Sequence, residues 1–148
     1  MLCLLAFLLG APALLAQLSR SGVVRGFKLP EFYDPVPGKV PPNRLKYLIT
    51  GAEAQPESKD LVIVKQMRLE SYQVDGKTNL VAIAPHSWVD LDQHQISSTG
   101  RLDMVTGDGQ LALTGDGGFF CRLTNFTMVV SNHVRTVIHH ASLKELKK

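Results

Sequence analysis

From Leu45 onward, apolar residues recur mostly at every second position, the period of a strand with one face on a core. The pattern predicts strands over 45–50, ending at Gly51, and over 61–72. In the latter, Leu61, Ile63, Met67 and Leu69 would share a face that Lys65 interrupts. Asp75-Gly76 predicts a hairpin turn with positive φ at both central positions. Further strands are expected over 80–84, stopped by Pro85, and over 88–91, 95–98 and 102–106. Two copies of Thr-Gly-Asp-Gly then stand at 106–109 and 114–117. Each reads as a tight turn, joining 102–106 to 110–114 and then to 119–123. Asn125 and Asn132 mark turns before 127–131 and 133–138. Leu102 and Met104, Leu111 and Leu113, Phe119, Cys121 and Leu123, then Met128 and Val130 each alternate with polar or small neighbours. In an antiparallel meander they would line one apolar face. Nine or ten short strands with turns every eight to ten residues predict an all-β sandwich, barrel or folded-over sheet. Only 141–148 reads as helical, a short basic tail.

The N-terminal third follows other rules. Residues 17–44 are dense in Gly and Pro, which excludes a long helix and predicts an extended arm. Phe27, Phe32 and Tyr33 within it are expected to pack on the body or on a partner. Residues 1–16 are apolar and end in small residues, as a secretory signal does, although no Lys or Arg precedes the apolar core. Cleavage after Ala16 or Ala13 is favoured over a short membrane anchor, because the run falls short of the roughly 20 residues that span a bilayer. Cleavage would leave Cys121 as the sole cysteine, read as a core residue rather than a nucleophile. The formal charge of +3 divides into +4 over 20–46, −3 over 47–140 and +2 over 141–148. A basic arm can meet phosphates or simply aid solubility.

Catalytic signatures are sparse. The sequence has no glycine-rich phosphate loop, nucleophile elbow or His-Glu-x-x-His helix, and no cofactor is implied. Asp90, Asp92 and His94 alternate beside Trp88 and would suit either a metal or acid–base cluster or a polar turn, the turn being favoured. His139 and His140 are adjacent, so on a strand they point to opposite faces and chelate poorly. Asn125-Phe126-Thr127 is a formal glycosylation sequon. The basic residues do not interleave with aromatics as a base-stacking platform would, which argues against nucleic acid.

The stretch from Trp88 to Val134 resembles the OstA-like periplasmic proteins of lipopolysaccharide export. It carries Trp88-Val89-Asp90, then Ile96-Ser97-Ser98-Thr99-Gly100, a strand into Thr106-Gly107-Asp108-Gly109, then Leu111-Ala112-Leu113 and Met128-Val129-Val130-Ser131-Asn132. The resemblance covers about 60–138 and is closer to the LptC type than to its LptA relative. It implies a folded-over antiparallel sheet, a β-jellyroll, over 45–140, with a greasy interior through which lipid acyl chains pass. It implies no catalysis, an exported periplasmic location with possible inner-membrane association, and assembly with other OstA-like bridge proteins through sheet edges. The driving energy would come from an inner-membrane ABC transporter. The inward row Met104, Leu111, Leu113, Phe119, Leu123, Met128 and Val130 is then the candidate lipid-binding set, each equally readable as plain core. The competing readings are a secreted structural or interaction β-domain acting through its aromatic arm, and a small hydrolase or metal site at Asp90, Asp92 and His94.

Overall fold

The computed structural model describes residues 22–138. In them lie β1 (Val24–Phe32), β2 (Leu45–Pro56), β3 (Leu61–Tyr72), β4 (Thr78–Asp90), β5 (Gln95–Ser98), β6 (Leu102–Thr106), β7 (Leu111–Gly115), β8 (Phe119–Arg122), β9 (Thr127–Val130) and β10 (Arg135–Ile138). All belong to one antiparallel sheet. The fold is all-β, as expected. The helix expected over 141–148 and His139-His140 lie outside the described residues.

Strands β1 to β4 form a meander, and then the sheet forks. The C-terminal part of β4 (Trp88 to Asp90) pairs with β5, while its N-terminal part (Leu80 to Ile83) pairs with β6. β5 continues to β8 and β9, and β6 to β7 and β10. β5 and β6 are therefore two halves of one long rung beside β4, broken at 99–101. β7 and β8 form the next rung, broken at 116–118, and β9 and β10 the last, broken at 131–134. Each rung crosses a common crease. The first leaf carries β5, β8 and β9 with the parts of β1–β4 beside them, and the second leaf carries β6, β7 and β10 with the rest.

The crease is written into the burial pattern. On β3 the buried residues run Val62, Val64, then Met67, Leu69 and Ser71. The interval is two residues except at Gln66, which takes φ of 51°. On β4 it is Ala82, Ala84, then Ser87 and Val89. On β1 half-buried Val24 is followed by buried Phe27, with Gly26 at φ 63° between them. At this level one residue of each strand, Gly26, Gln66 and Pro85, drops out of the ladder while the register stays the same on both sides of it. The backbone bends there and every later side chain moves to the opposite face. Here the leaf turns over at the same place, so the shifted side chains still point inward. This corrects the single face expected on 61–72. Leu61 and Ile63 are only half-buried, Val62 and Val64 take the core, and exposed Lys65 pairs with Glu53 at 2.9 Å.

Two strand breaks expected from the sequence, at Gly51 and at Pro85, are not observed, and both residues lie at the crease. β2 runs through Gly51 to Pro56, and β4 runs through Pro85 to Asp90 without a break at 84–88. Pro85 lies opposite Gln66, where the β3–β4 pairing is interrupted, on one side and the β5–β6 break on the other, so its missing N–H leaves no ladder bond unmade. The nearby His86 carbonyl accepts from the Ser98 hydroxyl at 2.6 Å.

The two Thr-Gly-Asp-Gly copies do different things. The first is a hairpin between β6 and β7. The Gly109 N–H donates to the Thr106 carbonyl at 2.8 Å, and Asp108 Oδ1 accepts from Thr106 Oγ1 and the Gln110 N–H. At both this turn and Asp75-Gly76 only the glycine has positive φ (70° and 91°), so these are turns closed by one left-handed glycine, not the type with two. The second copy is no hairpin, because β7 and β8 do not pair with each other. Its glycines allow close approach at the crease. A Cβ at Gly117 would lie 2.6 Å from the Ser131 carbonyl oxygen, and one at Gly118, where φ is 93°, 2.4 Å from that of Ser98.

Gly118→Ala should therefore destabilise the fold by about 2–4 kcal/mol in urea melts, through a strained φ together with a backbone collision. Gly109→Asn, with open space around its Cβ position, should cost less than about 1 kcal/mol.

Candidate functional site

The inner surfaces of the two leaves form an apolar trough. Cross-strand register defines its rows. On the second leaf one row runs Ile49, Leu69, Ala82, Met104, Leu113, Thr136. On the first leaf the matching row runs Val62, Val89, Ile96, Cys121, Met128. Ile49, Leu69, Ala82, Ile96 and Cys121 are fully buried, whereas Met104, Leu113 and Met128 are half-buried and Thr136 is exposed. The trough is thus packed shut toward β1–β4 and opens toward β7, β9 and β10. Two physical causes act together. β2, β3 and β4 have neighbours on both sides, while the last rung has one. The last rung is also short, with β9 and β10 of four residues each.

The seven candidate lipid-binding residues all line this trough, but in two groups. Phe119 and Leu123 are buried in its floor. Met104, Leu111, Leu113, Met128 and Val130 stand half-buried along the open side. Alternation alone could not separate these groups, since burial depends on which strands follow. Ile138, paired with Leu111 and 46% exposed, shares the open side and was not singled out from the sequence. Its signal would have been the register of the last strand, which a single sequence does not carry.

The other candidates resolve as turns and packing. Asp90 ends β4, and Asp92 and His94 sit in the β4–β5 connection. Asp90 Oδ1 accepts from the Gln93 N–H at 2.8 Å and Asp92 Oδ2 from the Gln93 side-chain amide at 2.7 Å. Among the described residues no three His, Cys, Asp or Glu side chains are placed to hold a metal ion. Part of the expected arm is strand β1. Phe27 enters the core, the Tyr33 hydroxyl donates to the Tyr72 carbonyl at 2.7 Å, and Phe32 remains exposed. Cys121 is a free thiol with its ionisation pushed up to about 11 by burial, the behaviour of a core residue rather than a nucleophile.

The trough has one polar corner. Tyr47 is buried on β2 facing Glu31 across the β1–β2 ladder. Burial, with the Glu31 charge adding to it, raises its phenol from an ordinary value of 10.0 to about 12. Its ring meets Phe126, from the β8–β9 hairpin of the other leaf, edge to face with centroids 5.9 Å apart. Along the sheet these residues are separated by four to five strand spacings, about 20 Å. Their contact shows directly that the sheet is folded onto itself.

Neither a protein-family profile nor a curated protein matches the chain. Among solved structures it is similar to LptH of Pseudomonas aeruginosa, described as the LptA-homologous periplasmic component of the conserved lipopolysaccharide transport device. The superposition has a TM-score of 0.51 at 11% identity and covers 64% of this chain and 75% of that one. At that identity the likeness is one of fold, and the chain has the LptA-like β-jellyroll.

A phenol held neutral by burial contributes stability that is fully present below pH 10 and is lost as pH rises toward about 12. Urea midpoints measured from pH 9 to 12 should therefore fall more steeply for the native chain than for Tyr47→Phe.

Proposed function

We propose that the chain is a non-enzymatic periplasmic component of lipopolysaccharide transport that shelters lipid acyl chains in its trough. The observation that carries this reading is the gradient of burial across one continuous apolar surface. A closed structural domain has no need of half-buried Met104, Leu113 and Met128 along an open side. A carrier does, because each methylene taken from water is worth about 0.8 kcal/mol and an acyl chain has many. The LptA-like fold supports the same reading. The apolar segment over 1–16 supports export, either as a cleaved signal or as an anchor.

The sheet edges suggest where partners join. β1 carries Arg25, Lys28, Pro30 and a register shift at Glu31/Phe32, all of which discourage strand addition. The opposite edge exposes Val129, Val137 and Ile138. Another OstA-like bridge protein would add its strand there, in the manner of β-augmentation. An inner-membrane ABC transporter would supply the energy, so the chain itself needs no catalytic group.

Photo-crosslinking tests the cargo. A photoreactive residue at Met104, Leu113 or Met128 should give adducts with lipopolysaccharide, and one at Val105, on the outer face beside Met104, should not. Adducts equally from Val105, or from none of the three inward sites while an established bridge protein labels in parallel, would overturn the reading.

A further inference from the structure

Phe126 is a backbone anomaly. It takes φ of 50°, a left-handed conformation that suits Asn or Gly and is an outlier for a bulky ring. The hairpin around it is well tied down. The Thr127 N–H donates to Asn125 Oδ1 at 3.2 Å, and the Leu123 N–H donates to the His94 carbonyl of the neighbouring hairpin at 2.9 Å. A turn of this shape could be made with a small polar residue at no strain. What Phe126 adds is its ring, which packs on the core and meets Tyr47 on the opposite leaf. Strain that persists at one residue indicates a contact that depends on it.

The location gives that contact a consequence. Tyr47 lies near the free end of the second leaf, next to the loop that joins β1 to β2. Phe126 lies at the free end of the first leaf, at the tip of the β8–β9 hairpin. The crease holds the leaves together at one end, and this ring pair bridges them at the other. We infer that Phe126 and Tyr47 form a latch across the mouth of the trough, and that the leaves part when the rings separate. An edge-to-face pair is weak enough to open and close in the resting protein. Opening at this corner would join the packed side of the trough to its open side and make room for apolar cargo. The cargo rests on the function proposed above, whereas the movement does not.

Cys121 is a built-in reporter of that movement. It lies on the inner face of the first leaf and is fully buried, so a reagent reaches it only when the leaves separate or the chain unfolds. In a Cys3→Ser background, alkylation of Cys121 by N-ethylmaleimide can be timed by mass shift, without any lipid. Phe126→Asn removes the ring while relieving the backbone, so the variant should fold. It should speed alkylation about three- to tenfold, the equilibrium weight of one ring-on-ring contact. Tyr47→Ala should do the same and Tyr47→Phe, which keeps the ring, should not. Val62→Ala, in the core of the first leaf away from the latch, controls for general loosening. An unchanged rate in Phe126→Asn, or an equal acceleration in Val62→Ala, would overturn the latch. Since the crosslinking above reads the cargo separately, either idea can fail without the other.

Discussion

The structure depends on one geometric constraint. A strand that bends through a crease must change which of its residues face inward, and it does so at one residue that breaks the alternation without shifting the register. Were β3 to keep a strict alternation from Leu61 to Tyr72, one of its two halves would turn its apolar side chains to water. Gln66, at positive φ, prevents that by interrupting the alternation. Gly26 on β1 and the Ala84-to-Ser87 step on β4 do the same in register with it. The later rungs solve the problem by breaking altogether, at 99–101, 116–118 and 131–134. A single sheet thereby gains a two-sided core with no disulfide among the described residues and no second sheet.

The same crease sets how the interior differs from an ordinary sandwich core. Both leaves belong to one sheet, so the trough is sealed along the fold and has free ends elsewhere. Buried small residues (Ala84, Ser87 and Ser98) and larger ones (Val64, Met67, Leu102 and Phe119) pack side by side along the fold. At the closed corner a ring pair bridges the leaves. At the other side the ladder runs out before the apolar rows do, leaving Met104, Leu113 and Met128 half-covered. An apolar surface finished by too few strands is what a lipid could complete.

Much of the strand pattern was legible along the chain. Strands over 61–72, 95–98 and 102–106 coincide with β3, β5 and β6, and the Asp-Gly hairpins fall at Gly76 and Gly109. Proline and glycine misled at Pro85 and Gly51, because those residues break a ladder only where the ladder needs them. At the crease it does not. The second Thr-Gly-Asp-Gly misled for a related reason. The same four letters make a hairpin where the next strand returns beside the last, and a crossing point where neighbouring strands crowd both sides. Nothing local distinguishes Gly109, with open space around it, from Gly117, pressed against Ser131.

By itself the sequence determined that the chain forms strands, where most of its hairpins lie, and that one side of its later strands is apolar. These follow from alternation and turn chemistry, which act over a few residues. Only the tertiary structure decided which way each half of a strand faces, which glycines are hinges and which are turns, and how far each inward residue is covered. Those properties depend on contacts between rungs distant in the chain. The meeting of Tyr47 with Phe126 is one such contact, and the left-handed backbone at Gln66 is the local concession that lets the leaves fold toward it.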